Sequence, residues 1–252
     1  MRHYGKIKYI LIFILLFLSL SSCTSRNVMY ERAMLPYDSF AKVQTTINVR
    51  ICIDSENCMS TTGVGSGSGT IIKHDDEKTY VLTAAHVCDT RDQVEYWKNR
   101  GASVTTSSII IDFSGHRYPI LRNVIMDHRY DLCVLEVAGK FGAVAPIGNS
   151  VPRIGDKVFN VAAPQGDSAP GMAAVLEGRY SGIFRFDSDS RDKSAYTIPA
   201  IGGSSGSGVF NSKGQLIGII HSVRRNFHHL SYGPTHDELM HFLRTLNTAL
   251  AN

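Results

Sequence analysis

From about Val43 to Val223, short runs rich in Val, Ile, Thr and aromatic residues alternate with polar positions and are broken by Gly, Pro, Asn and Asp. That pattern predicts β-strands joined by tight turns. A first set covers Val43–Ile53, Gly69–Lys73, Thr79–Thr83, Val104–Phe113, Tyr118–Met126 and Leu132–Val137, six strands and enough for one small barrel. A second set covers Lys157–Ala162, Met172–Phe184, Ala195–Pro199, Gly208–Asn211 and Leu216–Val223. Between them Gly142–Gly155, with Pro146 and Pro152, reads as a connection. The period changes only near the end, where Leu239, Phe242, Leu243 and Leu246 recur at helical spacing behind Thr235, a capping residue. A helix is predicted from His236 to about Leu250, and a shorter helical piece at Arg91–Asn99. The expected class is all-β with a C-terminal α-helix. The expected organisation is 1–22 leader, 23–42 tether, 43–141 first β unit, 142–155 linker and 156–252 second β unit with the helix.

The first turn of the chain is different in kind. Arg2, Lys6 and Lys8 precede an apolar run from Tyr9 to Leu20, too short to span a bilayer comfortably, which reads as an export signal. Leu20-Ser21-Ser22-Cys23 then resembles the bacterial lipobox, in which the cysteine is acylated; the other reading is an ordinary signal peptide cut nearby or an uncleaved anchor. Thr24 follows where an Asp would favour retention at the inner membrane, so the resemblance implies the outer membrane or periplasmic face of a bacterial envelope, or else secretion. Export allows disulfides to persist. Cys52 and Cys58 flank a polar stretch and suit a bridge closing a hairpin tip. Cys88 and Cys133 either form a second bridge or pack as buried thiols.

Composition changes little. At 252 residues, 43% hydrophobic and 19% charged, the chain is ordinary for a globular protein. A formal charge of +4 with scattered basic residues offers no stripe for nucleic acid. No cysteine pair has metal-ligand spacing, and His228, His229, His236 and His241 are not placed to converge, so neither a metal nor another cofactor is expected.

Chemistry concentrates in three motifs. His86 lies in the run YVLTAAHVC, where small alanines let an imidazole lie against a barrel. Asp131 opens the apolar run DLCVLEV; Asp127 competes with it but has no apolar run directly behind. Ser205 sits in GGSSGSGVFN, flanked by Gly203 and Gly206. A serine hydroxyl needs an imidazole to take its proton and a carboxylate to hold that imidazole in one tautomer. It also needs backbone N–H groups converging on the oxyanion, and those of Gly203 and Ser205 are the candidates. Ser204 and Ser207 lack glycines in that register. The rival reading of this stretch, a flexible Gly/Ser linker, fits poorly with the strands that follow at once.

GSGSGTII, YVLTAAHV, DLCVLEV and GSSGSGVFN followed by LIGII together resemble the trypsin-like (chymotrypsin-fold) serine peptidase superfamily, its bacterial envelope and glutamyl-endopeptidase branches in particular. The resemblance runs from about Val43 to Leu246 and implies two six-stranded antiparallel β-barrels with the site between them. It implies His86 as general base, Asp131 as its orienter and Ser205 as nucleophile of an endopeptidase acting on protein or peptide substrates. Activity would then rise from acid towards neutral pH as His86 deprotonates to serve as base. Ser204 stands where the pancreatic enzymes carry an aspartate that pairs with a freed N-terminus, so that activation route is not expected. Pro199, Ala200, His221, Ser222 and Val223 would line the pocket for the side chain preceding the scissile bond. His221 is near the position of a glutamate-binding histidine but one residue later, and a one-residue slip reverses the face of a strand. The alternative is cleavage after small or aliphatic residues. A competing function of another class is a protease-fold binding module without catalysis.

Overall fold

The computed structural model describes residues 35–54, 56–185, 191–224 and 226–251. The expected leader, the lipidation site Cys23 and most of the tether lie outside them. Residues 36 to 251 hold a closed barrel and a second, open sheet.

The first barrel is built from β1 (Phe40–Cys52), β2 (Cys58–His74), β3 (Lys78–Thr83), β4 (Ser103–Asp112), β5 (Arg117–Asp127) and β6 (Leu132–Ala138), closed in the order β1-β2-β3-β6-β5-β4. Its interior packs Val43, Ile71, Val81, Ile110, Leu135 and Val137, all essentially buried. The strand β1 begins at Phe40, inside the stretch expected to be tether. Its partner β2 is far longer than the predicted Gly69–Lys73. Glycine has little strand preference of its own, yet unbroken pairing with β1, from Phe40 opposite Thr70 to Cys52 opposite Cys58, imposes strand conformation on TTGVGSGSG. A Cys52–Cys58 disulfide closes that ribbon at its tip. After β3 come two short helices, α1 (Ala85–Cys88) and α2 (Arg91–Lys98). A second disulfide, Cys88–Cys133, ties α1 to β6, which decides between bridge and thiols.

The second unit is a seven-stranded antiparallel sheet in the order β11-β10-β7-β8-β9-β13-β12. Its strands are β7 (Lys157–Ala162), β8 (Ala174–Phe184), β9 (Lys193–Tyr196), β10 (Gly208–Asn211), β11 (Leu216–Ile219), β12 (Ser222–Arg224) and β13 (Phe227–Gly233). The single predicted strand Leu216–Val223 is thus two, because the chain leaves β11 at Ile220 and His221 to pass the site before pairing with β13. The strand β13 lies outside the predicted set, because His228 and His229 give it no apolar alternation. Val158, Tyr196, Ile198, Val209 and Ile217 form the core of this sheet.

The chain closes with α3 (His236–Ala251), which buries Leu239, Phe242, Leu243 and Leu246 as its spacing predicts. Thr235 caps it reciprocally: its Oγ1 accepts the Glu238 N–H at 3.3 Å while the Glu238 carboxylate accepts the Thr235 N–H at 2.8 Å. The helix packs on β11 and also on β5, so it braces both sheets rather than the second alone. His236, at its first turn, bonds through Nε2 to the Gly148 carbonyl at 2.8 Å and fixes the connecting segment beneath it.

Candidate active site

The carboxylate of Asp131 grips His86 three ways. Its Oδ2 lies 2.8 Å and its Oδ1 3.1 Å from the ring Nδ1, and Oδ1 also accepts the His86 backbone N–H at 3.0 Å. Ring and main chain of one residue are therefore held by one side chain. Asp131 adopts a left-handed backbone, φ 54°, just before β6. The competitor Asp127 makes that turn, since its Oδ1 accepts the N–H groups of Arg129 at 2.8 Å and Tyr130 at 3.1 Å. It shapes the approach to Asp131 and does not meet His86. Burial pushes the Asp131 carboxyl up, but the hydrogen bonds and charge of His86 outweigh it, leaving a net lowering that keeps the group ionised at neutral pH.

The loop around Ser205 sorts its three serines. Ser204 and Ser207 are buried, whereas Ser205 is half-buried. The Ser207 hydroxyl donates to the Ser204 carbonyl at 2.6 Å and accepts from Asn160 Nδ2 at 2.8 Å, so it is consumed in holding the loop. Gly203 and Gly206 take φ of 91° and 87°. A Cβ on Gly203 would collide with the carbonyl of Ala163, and one on Gly206 with Ser68 and Thr83, so glycine is required at both places for space as well as for conformation.

Two groups that sequence reasoning missed fix the peptide planes around Gly203. The Gln165 N–H donates to the Gly202 carbonyl at 2.6 Å, anchoring the Gly202–Gly203 peptide by its oxygen. Gln165 itself is left-handed, φ 57°. The fully buried Ser68 hydroxyl donates to the Gly203 carbonyl at 2.8 Å and accepts the Ala163 N–H at 2.9 Å. Ser68 also sends its backbone N–H to the Ser205 carbonyl at 2.8 Å. Thus a strand of the first barrel holds the loop of the second sheet. The only signal in the sequence was a polar residue inside GSGSGTII, which cannot announce its distant partners.

His86 and Ser205 line one groove of about 440 Å³ together with Gly203 and Val87. On the other side of Ser205 a cavity of about 150 Å³ is lined by Ala200, Ile220, His221, Ser222 and Val223. Four of the five expected pocket residues are therefore present, and Pro199 is not among the lining. His221 turns its ring towards the carboxylate, with Nδ1 3.9 Å from Asp131 Oδ2 and Nε2 buried without a hydrogen-bond partner among the described residues. Burial pushes its pKa down to about 4 against the pull of Asp131, so the ring is neutral at pH 7.

The likenesses agree with this architecture. A stretch 32% identical over 161 residues, 60% of this chain, occurs in the serine protease Do-like HtrB of Bacillus subtilis (strain 168), of whose length it spans about a third, 31%. The HtrA-type protease AlgW, solved with a decapeptide, superposes with a TM-score of 0.63 at 18% identity, covering 87% of this chain and 67% of that one. An inactive serine-to-alanine form of Rv3671c from M. tuberculosis H37Rv gives 0.59 at 15%, covering 87% and 90%. At such identities the two structures speak for the fold. The family model for the trypsin-like peptidase domain matches residues 67–219, a span that opens in β2 beside Ser68 and ends with β11 behind Ser205. Since it takes in His86, Asp131 and Ser205 alike, this chain belongs to the trypsin-like peptidase domain family.

Proposed function

We propose that the protein is an exported serine endopeptidase working through His86, Asp131 and Ser205. The observation that carries this is the bidentate hold of Asp131 on the ring and backbone of His86, in the groove that Ser205 shares. His86 Nε2 takes the proton of Ser205 Oγ as the oxygen attacks the scissile carbonyl, while Asp131 keeps the Nδ1 proton in place and stabilises the imidazolium. The N–H groups of Gly203 and Ser205 receive the oxyanion. Collapse expels the amine, which carries off the proton from His86, and water then hydrolyses the acyl-enzyme with His86 again as base.

The pocket bears on which bond is cut. A cavity of about 150 Å³ walled by Ala200, Ile220 and Val223 suits a small aliphatic side chain. A neutral His221 engaged with Asp131 offers no positive charge to a glutamate, which argues against the glutamyl preference. The decapeptide bound by AlgW supports peptides as the substrate class. The basic and apolar leader with Cys23, together with two disulfides in the folded part, supports a lipid-anchored place in the envelope. The test is labelling by a fluorophosphonate, read by intact mass, beside Ser205→Ala. One adduct on the wild type and none on the variant is expected; a folded wild type that takes no label points to the binding-module reading.

A further inference from the structure

Between β7 and β8 the chain leans on the first barrel at two places. The Gly166 carbonyl accepts from Lys42 Nζ at 2.5 Å. The Gly171 N–H donates to the Phe113 carbonyl at 2.8 Å, in the turn from β4 to β5. Pro170 packs beside it on Gly115, where a Cβ would come within 2.6 Å of the proline ring. Between these ties the chain stands off the barrel, and a cavity of about 220 Å³ lies under it.

Three neighbouring strands furnish the floor in register. Lys42 of β1 stands opposite Ile111 of β4, and Ile111 opposite Arg117 of β5, so the three side chains share a face. It is the outer face, since Val43 and Ile110, the next residues on β1 and β4, are in the core. Gln44, two residues along β1, joins them, and Ser168 and Pro170 form the roof. The backbones of Lys42 and Arg117 are two strand spacings apart, about 10 Å. Two long side chains close that gap on a small guest between them.

The charge of this cavity is one-sided. Among the described residues neither Lys42 nor Arg117 makes an ion pair, and the half-buried Lys42 ammonium has only a neutral carbonyl. The lining holds one carboxylate among the described residues, that of the buried Asp112, and it is already engaged. Its Oδ1 accepts the His116 N–H at 2.8 Å and its Oδ2 the Tyr118 hydroxyl at 3.3 Å, with His116 Nδ1 3.5 Å from Oδ2. Two cations on one face without a counter-charge attract an anion. Gln44 and Ser168 add hydrogen-bond donors, and Ile111 with Pro170 adds apolar surface.

We propose that this cavity binds a carboxylate on a short apolar body, held between Lys42 and Arg117 beneath Ser168. Planar oxygens suit the guanidinium fork of Arg117. The volume is below the roughly 300–1,000 Å³ of drug-sized pockets, so the body is short. The guest touches both the barrel and the β7–β8 loop, so its binding favours their docked arrangement and raises the melting temperature.

The probe is acetyl-valine, titrated calorimetrically into the protein at low salt beside acetyl-valine amide and inorganic phosphate. The acid is expected to saturate with a Kd below about 1 mM, and the amide to bind at least about tenfold more weakly. Arg117→Gln and Lys42→Met should each weaken the acid by about fivefold or more, and together abolish its binding and its effect on melting. Lys42→Met also loses the Gly166 tie; Arg117 makes no hydrogen bond among the described residues, so Arg117→Gln tests the site with the fold intact. Equal affinity for acid and amide would overturn the proposal. So would acid binding that neither variant weakens, which would place the acid elsewhere, the Ser205 groove included, and so would failure to saturate. Phosphate binding more tightly than the acid would overturn the carboxylate as the guest.

Discussion

Ser68→Ala removes one oxygen and tests whether the first barrel sets the proposed oxyanion site. Its hydroxyl is fully buried, donates to the Gly203 carbonyl at 2.8 Å and accepts from the Ala163 N–H at 2.9 Å. Alanine leaves a carbonyl and an amide buried without partners, each costing about 1–3 kcal/mol. Some relaxation is available, so a stability loss of about 3 kcal/mol is expected, read as a lower urea midpoint. The effect on catalysis is separable. Losing an oxyanion donor outright costs about 10²–10³ in kcat. Here the Gln165 N–H still holds the Gly202 carbonyl, so Gly203 is loosened rather than lost. A fall in kcat of about tenfold is expected, with KM little changed, because the bound ground state does not use that geometry. The assay is steady-state hydrolysis of a short peptide amide, with active sites counted by fluorophosphonate so that unfolded protein is excluded. An unchanged kcat per active site would refute the reasoning, and so would an effect confined to KM.

Three other outcomes follow from the site. The Cys88–Cys133 bridge closes a separation of 45 residues, and its removal by Cys88→Ser with Cys133→Ser should cost about 4 kcal/mol of stability on chain-entropy grounds. Denaturant midpoints measure it, and an unshifted midpoint would show that the bridge constrains little. His221 has its pKa depressed to about 4, so the unfolded chain binds the extra proton first and stability falls as pH drops from about 6.5 towards 4. The full difference is about 3 kcal/mol, and His221→Gln should flatten the urea midpoint against pH across that window; the same slope in the variant would assign the loss to other groups. Val223→Gly opens the cavity wall and should raise turnover of substrates with larger aliphatic or aromatic residues before the scissile bond. A panel varying only that residue decides, and an unchanged order of preference would remove Val223 from the pocket.

What the sequence made legible follows physical range. Strands with apolar alternation, such as Leu132–Ala138 and Lys157–Ala162, and the capped helix after Thr235 are local patterns, and each lies where expected. The pairing of Asp131 with His86 came from the resemblance and not from any local pattern; its physical basis is the neighbouring of β3 and β6, with Thr83 opposite Cys133, which sets α1 and His86 beside the start of β6. The glycine-rich part of β2 was not legible, because its conformation comes from its partner strand. Nor was β12–β13, where His228 and His229 carry no alternation and pairing with β9 supplies the order. Gln165 and Ser68 escaped for a further reason: one acts through its backbone N–H and the other by contacts 95 and 135 residues away in sequence.

Those long contacts carry a consequence for how the site comes into being. The loop of Ser205 is fastened to the first barrel by the Ser68 N–H at the Ser205 carbonyl and by the Ser68 hydroxyl at Gly203. Ser68 is itself fixed from β3, whose Thr83 hydroxyl donates to the Ser68 carbonyl at 2.7 Å. In the proposed mechanism the second sheet supplies the nucleophile, both oxyanion N–H groups and the Gln165 anchor, and the first supplies His86, Asp131 and the Ser68 hydroxyl that fixes the Gly203 carbonyl. The helix α3 spans both sheets and adds to their docking. Weakening that contact should therefore abolish hydrolysis before either sheet loses its strands. In the proposed mechanism, catalytic competence is a property of the docked pair, and the buried hydroxyl of Ser68 is the point at which docking is converted into the orientation of Gly203.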